Sequence, residues 1–185
     1  MKFVETNLPD VIRIEPVIQS DDRGFFMEVW EAIRFRDAGI DANFVQDNFS
    51  HSARGTLRGI HYQIEQAQGK LIRVVRGEIY DVAVDLRKSS PEFGKWVGVF
   101  LSADNKHQLW IPPGFAHGFC VTSDTALFAY KCTEFYNSTA EGCVRWDDPE
   151  IGINWPLRDP LLSEKDSLAP LLSDIVRERL PIYAF

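Results

Sequence analysis

A chain of 185 residues that is 45% hydrophobic and 25% charged can bury one full core but not two comfortable ones, so a single domain over residues 1–185 is expected. Its formal net charge of −7 removes the broad attraction that a nucleic-acid polymer requires, yet leaves room for a small anion held by a few clustered cations. Three cysteines without a C-x-x-C pair fit reduced thiols in a cytoplasmic protein, and with no apolar N-terminal segment and no run near about 20 apolar residues, no membrane span is predicted.

The elements read as short strands. Residues 11–17 alternate apolar residues with Arg13 and Glu15, Asp21-Asp22-Arg23-Gly24 supplies a turn, and residues 25–30 run on, which together predict a hairpin. Residues 31–38 have helical composition and end at Gly39, a residue suited to a C-cap. Residues 44–49 resume a strand, residues 50–56 read as a polar turn, and residues 57–63 return to a strand. Residues 70–76 and 78–86 flank Gly77; in the second run Tyr80, Val82, Val84 and Leu86 share one face, with Asp81 and Asp85 on the other. Further short runs at 96–101, 108–111, 118–122 and 126–136 are each bounded by turn residues, at the spacing of sandwiches and barrels. After Pro160, the residues Leu168, Leu171, Leu172, Ile175 and Val176 fall on one helical face. Either Ser163 with Asp166 or Ser167 with Pro170 could start that helix. The architecture expected is all-β, an antiparallel double-sheet jelly roll with a short helix near 31–38 and a small C-terminal helical extension.

The stretch Leu57-Arg58-Gly59-Ile60-His61-Tyr62-Gln63 packs a cation, a glycine and an imidazole into one strand. Side chains at even spacing share a face, so Arg58 and His61 line one wall only if the strand bulges at the glycine. Taken alone, the heptad reads better as a strand with a hydrogen-bonded histidine and an edge arginine. Pro112-Pro113-Gly114-Phe115-Ala116-His117 has the form P-x-G-x-x-H and resembles the second half of the cupin motif. The first half requires H-x-H, and here only His61-Tyr62-Gln63 stands in that position. Two histidines without a third ligand hold a metal poorly, so no metal is expected. His51 and His107 read as solvated surface histidines.

Several segments in register are similar to the dTDP-4-dehydrorhamnose 3,5-epimerase family. They are Asp22-Arg23-Gly24-Phe25-Phe26 with Glu28, Val45-Gln46-Asp47-Asn48, the heptad 57–63, Gln68-Gly69-Lys70-Leu71, Gly114-Phe115-Ala116-His117-Gly118-Phe119, Tyr130-Lys131 and Leu162-Ser163-Glu164-Lys165-Asp166. The likeness runs from about residue 7 to about residue 172 without large insertions. It implies inversion of C3 and C5 of dTDP-4-dehydro-6-deoxy-D-glucose, both alpha to the C4 ketone. Such inversion needs a base, an opposed acid and a stabiliser for the enolate oxygen, but no cofactor. The resemblance assigns His61 as base, Tyr130 as proton donor, Asp166 as the carboxylate partner of the base, and Lys70 and His117 to the neighbourhood of the ketone oxygen.

Asp81 competes with Asp166 as that partner. Without the resemblance, Asp166 reads as a capping residue and Tyr130 as a core aromatic. The resemblance further assigns Arg23 and Arg58 to the diphosphate, and Glu28, Gln46, Asn48, Glu141 and Lys165 to other ligand contacts, with Phe25 or Tyr136 against the nucleotide. It also implies a homodimer that exchanges strands near the N-terminus, so that Arg23 and Glu28 act at the neighbour's site. An enzyme inverting C3 alone carries the same base and acid and stands as the alternative.

Overall fold

The structure is a computed structural model that describes residues 1–183, so the last two residues of the expected domain lie outside it. In chain order the strands are β1 (Lys2–Glu5), β2 (Ile12–Glu15), β3 (Ile18–Asp21) and β4 (Gly24–Met27), followed by helix α1 (Ala32–Asp37). Then come β5 (Gln46–Ala53), β6 (Leu57–Gln63), β7 (Lys70–Arg76), β8 (Glu78–Asp85), β9 (Trp96–Ser102) and β10 (Gln108–Ile111). The last elements are β11 (Phe115–Val121), β12 (Thr125–Cys132), β13 (Glu141–Cys143) and the single-turn helix α2 (Glu164–Ser167).

Two antiparallel sheets, ordered β1-β2-β10-β7-β12-β5 and β13-β6-β11-β8-β9, form the expected double-sheet jelly roll. Period-2 alternation dictates what lies between them. Ile72, Val74 and Phe128 from the first sheet meet Ile79, Ala83, Phe119 and Val121 from the second in one buried cluster. The second sheet is buried on its other face as well. Ile60, Val82, Val84 and Leu86 pack outward against Val144, Ile151, Leu172 and Leu180 of the C-terminal segment. The aliphatic face of β8 is therefore turned away from the other sheet, and its acidic face, Asp81 and Asp85, points inward and is fully buried. Helix α1 closes the outer side of the first sheet through Phe35, which packs with Ile14, Ile40, Leu71 and Trp110. It ends in a Schellman turn: Ile40 N–H donates to the Phe35 carbonyl at 2.8 Å and Gly39 N–H to Arg36 at 2.9 Å, with Gly39 at φ +89°.

Three expectations are corrected. The hairpin turn falls as expected, but its strands are β3 and β4, because residues 12–15 instead pair with β1 and β10. The polar turn is confined to 54–55, since Ser50–Ala53 continues β5 in register with β12. The small C-terminal helical extension is present as α2 and the short 3-10 turns Leu172–Asp174 and Arg177–Arg179, but no continuous helix carries the apolar face through 168–176, because α2 stops at Ser167. Pro170 cannot donate to a helical ladder and steers Ala169 out of helical geometry. The supposed apolar face is split as well, with Leu172 buried and Leu168 and Val176 exposed. Among the described residues no helix is long and apolar enough to cross a membrane.

Candidate active site

The bulge that would bring Arg58 and His61 to one wall is present. From Arg58 to His61 β6 advances three residues while its partner β11 advances two, from Phe119 to His117. The extra residue turns Arg58 and His61, which an ideal strand would set on opposite faces, toward the same cleft. Glycine is required here, because Gly59 has φ +128° and a Cβ on it would lie 2.5 Å from the Gly118 Cα.

His61 and His117 are cross-strand partners, and each imidazole is held by a carboxylate. His61 Nε2 lies 2.6 Å from Asp166 Oδ1, and its Nδ1 lies 3.9 Å from Glu141 Oε1. The other oxygen of Asp166, Oδ2, accepts from the Ser163 hydroxyl at 2.9 Å. Burial alone would raise the Asp166 pKa, but the hydrogen bonds and charges of His61, Ser163 and Lys165 outweigh it and hold it below the usual carboxylate value. His117 Nε2 sits between both oxygens of Asp81, at 3.1 and 3.0 Å. Burial pushes the His117 pKa down despite that carboxylate, and the nearby charges of Lys70 and His61 add to the shift. Asp166 is thus the partner of His61, and Asp81 of His117.

The opposite wall comes from the other sheet. Register pairs Tyr130 with Asn48, and Cys132 with both Gln46 and Lys70, so these side chains share one inward face. The cleft between the walls divides into a space of about 290 Å³ that includes Gln46, Asn48, Tyr136 and Glu141, and one of about 510 Å³ that includes Ser50, Arg58 and His117. His61, Lys70 and Tyr130 line both. The Lys70 ammonium has no hydrogen-bond or ion-pair partner among the described residues. Burial lowers its pKa, against the pull of Cys132, Asp81 and Glu141. Burial and Cys132 raise the Tyr130 pKa while Arg58 opposes them. At the rim, the Tyr136 hydroxyl donates to Glu141 Oε2 at 2.8 Å, and Lys165 donates to the same oxygen.

Three candidates are not brought to this cleft within the chain. Arg23, Phe25 and Glu28 lie on or just after the β3–β4 hairpin, which stands outside both large sheets. Arg23 pairs with Asp21 at 2.6 Å, Glu28 pairs with Arg34, and Phe25 lies under the Lys106 ammonium at 4.8 Å. Conversely, Gln63 and Cys132 line the cleft unforeseen, although each is two residues from a candidate on its own strand, a period-2 signal. His51, expected to be plain surface, is exposed but borders the larger space. Among the described residues no group of three or more His, Cys, Asp or Glu side chains is arranged to hold a metal ion.

Comparison with known proteins identifies the family. The sequence profile of the family described as dTDP-4-dehydrorhamnose 3,5-epimerase matches residues 5–174. A dTDP-4-dehydrorhamnose 3,5-epimerase of Pseudomonas aeruginosa is 57% identical over 176 residues, 94% of this chain and 97% of that protein. The crystal structure of a 3,5-epimerase from Legionella pneumophila Philadelphia 1, in complex with dTDP-4-keto-L-rhamnose, superposes with a TM-score of 0.96 at 51% identity, covering 100% of this chain and 99% of that one. A 3'-monoepimerase from Streptomyces bikiniensis, in complex with dTDP-quinovose, superposes with a TM-score of 0.90 at 38% identity, covering 96% and 92%.

Proposed function

The chain belongs to the dTDP-4-dehydrorhamnose 3,5-epimerase family, and we propose that it inverts C3 and C5 of dTDP-4-dehydro-6-deoxy-D-glucose with His61 as the base on one face of the sugar and Tyr130 as the acid on the other. The observation that carries this reading is the opposition of the two walls: a carboxylate-bound imidazole on β6 faces a phenol on β12 and an ammonium on β7 that have no hydrogen-bond partner among the described residues.

With Nε2–H donating to Asp166, the His61 Nδ1 is the nitrogen left to take a proton from carbon, and Asp166 stabilises the imidazolium that results. Charge then develops on the C4 oxygen. Lys70 is the natural counter-charge, because no carboxylate pairs with it directly among the described residues, Asp81 and Glu141 acting only from a distance, and its burial strengthens the interaction. His117 has a different part. Its Nε2–H donates to Asp81 and burial favours the neutral ring, so it offers the cleft a lone pair at Nδ1 and serves a substrate hydroxyl better than an oxyanion. Tyr130, kept protonated by its surroundings, returns a proton from the far side.

Arg58, in the space it shares with Ser50 and His117, forms the diphosphate end, and Gln46, Asn48, Tyr136 and Glu141 line the other space with Lys165 at its rim, where the exposed Tyr136 ring can stack on thymine. Arg23, Phe25 and Glu28 act at the site of a second subunit. The hairpin's exposed Val17, Ile18, Phe25 and Phe26 are the kind of surface that an exchanged-strand homodimer covers. The enzyme works in the cytoplasm, as one domain, and needs no cofactor, since proton transfer alpha to a ketone moves no electrons to an acceptor.

Proton NMR of the product formed from the 4-keto sugar nucleotide in heavy water tests the reading. Deuterium with inverted configuration at both C3 and C5 is expected. Inversion at C3 alone would favour the monoepimerase reading, and exchange at neither carbon would reject both. Tyr130→Phe then separates the two walls: it keeps the packed ring, and should wash deuterium into C3 or C5 with retained configuration while forming little epimer. Normal epimerisation by that variant, or a folded variant without exchange, would refute the division of roles.

A further inference from the structure

Asp166 holds His61, and a second residue holds Asp166. The Ser163 hydroxyl accepts from the Asp166 backbone N–H at 3.1 Å and donates to Asp166 Oδ2 at 2.9 Å, while Oδ1 faces His61 Nε2 at 2.6 Å. Each carboxylate oxygen is therefore committed to a different partner, which fixes the plane of the carboxylate. The Asp166 side chain is only 3% exposed, so with both partners in place water has little access to its oxygens. The first half of this pattern is an ordinary N-cap. The second half is not demanded by capping, and α2 is a helix of only four residues.

The other end of this segment is tied to the strand that carries His61. Leu57 N–H donates to the Leu161 carbonyl at 3.0 Å, and Leu161 N–H donates to Gly55 at 2.8 Å. Residues 161–166 thus hang from the start of β6, and Ser163 sets where the carboxylate ends up relative to the imidazole four residues along that strand.

We propose that Ser163 is a positioning residue for proton transfer, the third member of a Ser163–Asp166–His61 chain, in addition to capping α2. Its hydroxyl keeps Asp166 oriented for the His61 imidazolium that forms during the reaction. This rests on His61 being the base. The groups facing the pair are Glu141 and Cys143 from β13, Lys165 from α2, His117 from β11, Lys70 from β7 and Tyr130 from β12. None of these donates to Asp166 Oδ2 among the described residues.

Capping and positioning can be separated by substitution in the full-length enzyme. Ser163→Asp keeps a good N-cap acceptor but cannot donate to Oδ2, and it sets a second negative charge beside Asp166. The expected result is a folded enzyme with a modestly lower melting temperature, a KM within about threefold, a kcat lower by about ten- to a hundred-fold, and the acidic limb of the kcat/KM profile moved to higher pH. Ser163→Thr, which keeps both hydrogen bonds, should recover most of kcat. If Ser163→Asp disturbs the fold, Ser163→Gly, whose cap loss is small, should still lower kcat at unchanged KM.

A folded Ser163→Asp or Ser163→Gly enzyme with wild-type kcat and an unmoved acidic limb would overturn the proposal. So would equal loss in Ser163→Thr, which would assign the position to packing. His61→Ala is assayed alongside. If it keeps full activity, the reading of His61 as base has failed, whereas an inactive His61→Ala with a normal Ser163→Asp sinks only the role of Ser163.

Discussion

Two histidine–carboxylate pairs stand side by side on β6 and β11, chemically alike and differently built. In the His61–Asp166 pair the ring is 27% exposed to the cleft and its carboxylate arrives from a C-terminal turn 105 residues away. In the His117–Asp81 pair the ring is nearly sealed, and its carboxylate is a fully buried residue of the adjacent strand β8. The first arrangement leaves a nitrogen free to meet a substrate and a carboxylate ready for the resulting charge. The second locks a neutral ring in place. On the proposed reading, exposure and tethering, more than residue type, separate the base from a histidine that only binds substrate.

The largest expected effect breaks the first pair. His61→Ala should lower turnover by about 10² to 10⁴ or more while nucleotide affinity stays within a few-fold, as read by coupled turnover and by titration of the diphosphate nucleotide. Near-normal turnover would make His61 structural and erase the distinction.

Replacing the two carboxylates sharpens it. Asp166→Asn should cut kcat by about 10² to 10⁴, because the amide can still hold the ring but cannot stabilise an imidazolium. Asp81→Ala should instead cost stability, about 1–3 kcal/mol in denaturant unfolding, because it strands the buried His117 donor. If Asp81→Ala fell mainly on kcat and Asp166→Asn mainly on stability, the comparison would be inverted.

A smaller effect concerns acid. Because the folded His117 titrates below its usual 6.5, the unfolded chain takes up that proton first as pH falls. The folded state is therefore undisturbed above about pH 6.5 and loses stability progressively below it. Asp166, depressed below its usual 3.8, contributes stability that is present above that value and lost only as pH falls through the lower folded one. Melting temperatures from pH 7.5 to 5 should decline less steeply in His117→Asn than in the unsubstituted enzyme. Equal slopes would show that the buried pair does not titrate in that window.

The smallest expected effect is none: activity should survive EDTA. The two imidazoles at the position where cupins keep metal ligands have no third ligand arranged with them among the described residues. Loss on chelation with recovery on adding a divalent ion would overturn the view of these pairs as proton-transfer devices.

Much of the site was legible because strand chemistry is local. The alternation in 78–86, the Gly39 stop of α1 and the need for a bulge at Gly59 all follow from steric rules acting over two to four residues. The C-terminal helix was misread because apolar spacing at 168–176 mimics a helical stripe, and only Pro170 and the packing of Leu172 onto the outer face of the second sheet overrule it. The strands of the first hairpin were misread for a related reason: residues 12–15 alternate well enough for any partner, and the choice of β1 and β10 is a matter of sheet order.

By itself, then, the sequence determined the class of fold, the short-strand rhythm and the residue types that a base, an acid and an anion site require. Only the tertiary structure decided which aspartate serves which histidine. Asp81 and Asp166 lie 36 and 105 residues from their partners, and Asp166 reads from its neighbours as a capping-box residue, whereas the cap itself is Ser163, which accepts from the Asp166 N–H. Such pairings depend on how β8 and the C-terminal turn are laid against β11 and β6. That is set by the summed burial of two cores, which no local pattern records.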